Sequence, residues 1–266
     1  MALSSDQLER YARHIVLKQI GGAGQQKLLK ARVLVVGAGG LGSPCLLYLA
    51  AAGVGTLGII DNDVVAISNL QRQIAHRTQD VGIAKVESAA RAIADLNPDV
   101  KLVQHGERLT AKNALAIISQ YDVVADGCDN FATRFLVNDA CYFAKKPLVS
   151  AAVGPFEGQL ATFKPYEKAA DGTPLPNYRD FMPEAPEDDG AICEQQGVLG
   201  ALTGVMGSLQ ALEVIKEITG AGSSLAGKLL IYDALDTRFR ILTLKWDRAN
   251  PLTGDNPTIK DLSVHS

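Results

Sequence analysis

Cysteine is scarce and never closely paired: four residues in 266, at positions 45, 128, 141 and 193. Without a CxxC pair the chain shows neither a zinc site by spacing nor a disulfide framework, and it suits a reduced, cytoplasmic setting. No apolar run reaches the ~18 residues of a membrane span. The opening MALSSDQLERYARH is charged from its start and is expected not to be a signal peptide. A basic excess is also missing. The 26 Lys and Arg stand against 29 Asp and Glu, a net charge of −3, so general nucleic-acid or anionic-membrane binding lacks its electrostatic drive. No internal repeat is present. What the chain does have is 47% hydrophobic and 21% charged residues, a composition that buries a core rather than one that stays disordered.

Asp6 to Lys18 is predicted helical, with Asp6 and Glu9 as a capping signal and Leu8, Tyr11 and Ile15 at helical spacing; Gly21-Gly22 is expected to end it. From Arg32 onward, short apolar strands alternate with helices. Strands are predicted at Arg32 to Val36, Thr56 to Ile60, Val100 to Gln104, Asp122 to Ala125, Pro147 to Val153 and Gln159 to Phe163. Helices are predicted after Gly42, at Lys85 to Leu96, at Lys112 to Ser119 and at Phe131 to Ala144. This alternation predicts an α/β fold, a Rossmann-like doubly wound and mostly parallel sheet. Pro165 to Ile192, with five prolines and seven acids, reads as a long mobile loop. A long helix over Val198 to Ile218 and a closing strand pair, Leu229 to Asp233 and Phe239 to Leu244, give the sheet a C-terminal antiparallel extension. From Asp247 the tail is polar and little order is expected.

The first strand runs into Gly37-Ala38-Gly39-Gly40-Leu41-Gly42, a GxGxxG turn at Gly37, Gly39 and Gly42. Glycines there let backbone N–H groups approach a phosphate at a helix N-terminus. Asp61 ends the second strand 19 residues past Gly42, where a carboxylate would grip ribose hydroxyls. Those features alone also suit a nicotinamide dehydrogenase. The residues beyond them point elsewhere. A triphosphate needs added cations and a carboxylate-held Mg²⁺; Arg72 and Lys85 supply the cations and Asp129 the metal ligand. The plainer alternatives are surface charges for Arg72 and Lys85, and a helix cap for Asp129-Asn130.

Several segments together carry a family resemblance: Arg10 to His14, VVGAGGLGSP, GIIDND, SNLQRQ, GIAKVESA, GCDNFATR, KPLVSAAV and GVLGALTGVMGSLQALEVIK. They span most of residues 6 to 245, and SNLQRQ with CDNFATR is far more specific than the glycine turn. With them the chain resembles the ThiF/MoeB/HesA family, bacterial relatives of ubiquitin-activating enzymes. The resemblance implies one adenylation domain over 1–266: an N-terminal arm (6–30), a nucleotide-binding core (31–164), a crossover loop (165–192), a C-terminal helix and strands (193–246), and a tail (247–266). It implies that ATP activates the C-terminal glycine of a small ubiquitin-like sulfur carrier ending in Gly-Gly, for molybdopterin or thiamine synthesis, with release of pyrophosphate. Gly40, Asp61, Ser68, Asn69, Leu70, Gln71, Arg72, Lys85, Asp129 and Asn130 then become ATP contacts, and Asp129 the Mg²⁺ ligand. Arg13 resembles an arginine that reaches a phosphate in the partner subunit, which implies a homodimer.

Two features depart from the pattern or leave it open. Most relatives carry two CxxC pairs that bind zinc, but the corresponding places here read Asn177 to Asp180 and Asn250 to Asp255, so no zinc is expected. Cys193 resembles a cysteine that in some members bonds covalently to the carrier; a small loop residue without chemistry fits it equally. Two other classes fit parts of the pattern: an NAD-dependent oxidoreductase, and a non-catalytic protein that docks the carrier.

Overall fold

The computed structural model describes residues 3–184 and 197–265. Three short helices lead in: α1 (Ser5–Arg10), α2 (Ala12–Ile15) and α3 (Gly21–Lys30). The cap of α1 is Ser4 with Gln7, each side chain bonded to the other's backbone N–H, not Asp6 with Glu9. Gly21, at φ +59°, begins a helix and does not simply end one.

Then come β1 (Arg32–Val36), α4 (Gly42–Ala51), β2 (Thr56–Ile60), α5 (Lys85–Leu96), β3 (Lys101–His105), α6 (Ala114–Ile118), β4 (Val123–Asp126), α7 (Phe131–Ala144), β5 (Leu148–Val153) and β6 (Glu157–Phe163). A one-turn α8 (Tyr178–Phe181), the long α9 (Gly200–Thr219), β7 (Lys228–Asp233) and β8 (Arg238–Thr243) complete the set. Among the described residues the strands form one sheet in the order β3-β2-β1-β4-β5-β6-β7-β8. Its first five strands pair in parallel; β6, β7 and β8 add antiparallel pairs.

Parallel strands covered on both faces need apolar side chains at nearly every position, and β1 shows why. Val33 and Val35 enter a core with α4, α5 and α9, while Leu34 and Val36 enter a second core with α6, α7 and α8 on the other face. Chain order reverses between β1 and β4, so a crevice opens beyond Val36 and Asp126, which are paired neighbours. Such a switch point is where open α/β sheets bind ligands.

Parts of two stretches expected to be loose are packed. Within Pro165 to Ile192, Asn177 is fully buried and Tyr178 nearly so; Tyr178 stacks edge-on against Phe135, Phe163 and Phe181. The remainder of that stretch, 185–192, lies outside the described residues. In the tail, Leu252, Ile259 and Leu262 are buried. His265, to which the sequence assigned nothing, places Nε2 2.8 Å from the buried carboxylate of Asp139.

Candidate functional site

The turn after β1 depends on two glycines in different ways. Gly37 sits at φ +89°, a backbone region that side chains resist. Gly42 starts α4 so close to the strand that a Cβ there would lie 1.8 Å from the Gly37 carbonyl. Gly42 is therefore a packing glycine and does not line the crevice, whereas Gly37, Gly39 and Gly40 do. Among the described residues, no acceptor meets the N–H groups of Gly39 and Gly40. Asp61 braces the turn from behind: Oδ2 accepts from Ala38 N–H at 2.8 Å and Oδ1 from Asp63 N–H at 2.9 Å.

Lys85 is no surface charge. Its side chain is 8% exposed, and Nζ donates to Asp63 Oδ2 at 2.8 Å from the first turn of α5. Arg72 donates to the Ser68 carbonyl at 3.1 Å, and among the described residues it makes no ion pair. Asn130 is the cap of α7, its Oδ1 accepting from Thr133 N–H at 2.9 Å. That frees Asp129 from the capping role. It is exposed on the crevice wall and, among the described residues, is held only by a 3.4 Å bond from Asn130 Nδ2.

Beneath Asp129 lies a polar brace that motif spacing did not reveal. Asp126, fully buried, accepts from Cys128 N–H and Ser150 Oγ, both at 3.0 Å, and lies 3.4 Å from Arg134. Arg134 also donates to the Cys128 and Ala151 carbonyls. Burial opposes the Arg134 charge most strongly, but Asp126 together with Cys128, Tyr178 and Asp129 more than offsets it and keeps the guanidinium firmly protonated. Tyr178 packs its ring 5.8 Å from that guanidinium, and burial pushes its phenol up to about 12.

These walls enclose a crevice of about 1010 Å³. Of the expected contacts, Gly37, Gly39, Gly40, Asp61, Arg72, Lys85, Asp129 and Asn130 line it. Ser68, Asn69, Leu70 and Gln71 do not. They form a tight turn in which Asn69 Oδ1 accepts from Ala66 N–H at 3.0 Å, and the Gln71 carbonyl presses on Gly200 at the start of α9. Arg13 is exposed on α2 and lies outside the crevice of its own chain. Cys193 lies outside the described residues. Cys45, Cys128 and Cys141 are buried thiols pushed up chiefly by burial.

The fit to a nucleoside triphosphate rests on what is left unmet. Besides the turn N–H groups, Gln73 is 4% exposed, lines the crevice beside Gly39, and has a buried Oε1 with no partner among the described residues. Gln73 and Asp63 both fall within the quoted motifs, SNLQRQ and GIIDND, yet spacing alone gave neither a role. At the places where zinc cysteines were sought, Asn177 Nδ2 donates to Thr253 Oγ1 at 3.0 Å, and Asp180 Oδ1 accepts from Asp247 N–H at 2.8 Å. The residues at those two places include no cysteine or histidine. Among the described residues no helix is long and apolar enough to cross a membrane.

Solved structures share this architecture. Escherichia coli MccB with ATP superposes at a TM-score of 0.78 over 92% of this chain and 75% of that one, at 21% identity. PaaA does so at 0.74 over 91% and 75%, at 24% identity. Curated relatives are nearer in sequence. The chain is 49% identical to a probable adenylyltransferase/sulfurtransferase MoeZ of Mycobacterium tuberculosis, covering 94% of this chain but 63% of that protein. It is 46% identical to a sulfur carrier protein adenylyltransferase of Thermus thermophilus (98% and 96% covered) and to a SAMP-activating enzyme E1 of Haloferax volcanii (96% and 92%). The ThiF family model matches residues 11–252, and this chain belongs to that family.

Proposed function

We propose that the protein is an adenylyltransferase that uses ATP to activate the C-terminal glycine carboxylate of a small ubiquitin-like sulfur carrier, releasing pyrophosphate. One observation carries this most: Arg72, Lys85 and Asp129, from three separate segments, line one crevice at the sheet's switch point beside unmet turn N–H groups. The relatives named as acting on sulfur carriers and SAMPs support the kind of partner.

The chemistry asks little of a base. A terminal carboxylate has a pKa of about 3.5 and is already a nucleophile at neutral pH. The barrier is electrostatic: one anion must approach the α-phosphate of another. Arg72 and Lys85 lower it by positioning and neutralising the phosphates. Asp129 is the exposed carboxylate suited to hold Mg²⁺, which when bound supplies further positive charge to the polyphosphate. Arg13 would reach the crevice of a second copy, so a homodimer is part of the reading. The crevice wall at Pro155, Phe156 and Leu235 would receive the carrier's Gly-Gly tail. The buried free thiols are consistent with a reducing, cytoplasmic setting.

The test is ATP–pyrophosphate exchange with a carrier ending in Gly-Gly. Lys85→Ala and Asp129→Ala should each abolish exchange while leaving folded protein. Exchange at the wild-type rate in either variant overturns the assignment. An NAD-binding oxidoreductase, or a docking protein without turnover, would show no carrier-dependent pyrophosphate release from the wild type.

A further inference from the structure

The Ala38 peptide, in the middle of the glycine turn, is gripped at both ends by side chains from elsewhere. Its N–H donates to Asp61, and its carbonyl lies 2.9 Å from His76 Nε2. Ser43 Oγ meets the same carbonyl only at 3.4 Å. His76 is buried, and its Nδ1 lies 2.9 Å from Ser88 Oγ on α5. Ser88 is 2.8 Å from Asp80, which also takes Arg91 at 3.0 Å and the Arg77 N–H at 2.9 Å. A line of side chains thus runs from α5 to the back of the turn.

Donor and acceptor rules fix the ring. A carbonyl only accepts, so Nε2 carries a hydrogen. Ser88 has one hydroxyl hydrogen and two takers, His76 Nδ1 and Asp80. With a neutral ring the hydroxyl serves Nδ1; with a charged ring Nδ1–H donates to Ser88 and the hydroxyl turns to Asp80. The charged groups facing the ring are Lys85, Asp61 and Asp80. Either protonation state keeps Nε2–H on Ala38.

We propose that His76 is a positioning residue for nucleotide binding: its Nε2–H fixes the Ala38 carbonyl and so holds Gly39 and Gly40 in the shape that receives phosphate. This rests on the assignment of the turn to nucleotide phosphates. His76 touches no substrate itself. It acts by removing a motion of the turn that binding would otherwise have to arrest.

Two substitutions separate the ring's two contacts. A glutamine amide nitrogen reaches the place of Nε2, and an asparagine amide that of Nδ1. Calorimetric titration with a non-hydrolysable ATP analogue and Mg²⁺ should show His76→Gln binding within about 3-fold of wild type. His76→Asn should lose about 10-fold, one buried hydrogen bond's worth. The maximal exchange rate at saturating ATP should be unchanged in both, with the Asn variant raising KM. Wild-type affinity in a folded His76→Asn protein overturns the inference alone. Absence of analogue binding by the wild type overturns the nucleotide assignment and this inference with it. Should the Asn variant fail to fold, nitrogen-15 NMR of the wild-type imidazole decides. Nε2 must stay protonated from about pH 5.5 to 8, and an Nδ1–H tautomer overturns the proposal.

Discussion

The role proposed for Lys85 depends on its surroundings. A lysine at the start of a helix sits where the helix dipole disfavours a cation, and burying its stem costs side-chain entropy. Asp63, 60% exposed, offsets this by taking the ammonium at 2.8 Å. The pair leaves the lysine aimed at the crevice rather than extended into water. Titration is where residue-scale burial becomes visible from outside. His76 and His105 are both held below the ordinary imidazole value, with burial the largest cause in each. In the unfolded chain they take protons near pH 6.5. Between that value and their lower folded values the unfolded state binds more protons. Stability is therefore full above about pH 6.5 and is lost as the pH falls below it. Urea midpoints should drop between about pH 7.5 and 5.5, and His105→Gln should flatten the slope. A midpoint that is constant or rises on acidification would contradict this.

At the scale of elements, strands and helices with strong local patterning were legible in the sequence: β1, β2, α5 and α7 begin and end where the apolar runs do. Elements defined by distant partners were not. The tail carries no periodic pattern; its order comes from Asn250 Oδ1 accepting from the Leu252 and Thr253 N–H groups, Trp246 Nε1 donating to the Thr253 carbonyl, and His265 meeting Asp139. Likewise α8 is too short and proline-flanked to read locally, yet Arg179 forks onto Asp139 at 2.7 and 2.9 Å. The site shows the same division. Lys85 and Asp129 were legible because they stand at the starts of patterned helices, and Arg72 because it lies in the SNLQRQ segment. Arg134 and His76 stand out through what they touch across the fold, and Gln73 through the buried amide it brings to the crevice. Since polar side chains rather than metal ligands join α8 to the tail, overnight chelation with EDTA should leave the melting temperature unchanged. Asn177→Ala should lower stability by about 1–2 kcal/mol, the cost of losing its helix-capping bond and its bond to Thr253. A fall in melting temperature on chelation, restored by zinc, would refute this account of the closing segment.

At the scale of the whole molecule, the proposed reading has a second chain complete the site. Arg13 projects from an arm whose Val16 is 74% exposed, with Leu8 and Leu17 exposed beside it, and it lies away from the crevice of its own chain. Apolar side chains gathered on an arm ask for cover, and a two-fold dimer would supply it while carrying each Arg13 to the opposite crevice. That arrangement has a quantitative consequence. Arg13→Ala and Asp129→Ala homodimers should each be inactive, the first lacking the donated cation and the second the metal ligand. If subunits exchange at random, half of the dimers are mixed. In each mixed dimer one crevice keeps Asp129 and receives an intact Arg13, so roughly a quarter of all sites should recover. Mixing the two inactive proteins should therefore restore roughly a quarter of wild-type exchange activity. An Arg13 acting within its own chain predicts none, because every site would then lack either its arginine or its carboxylate.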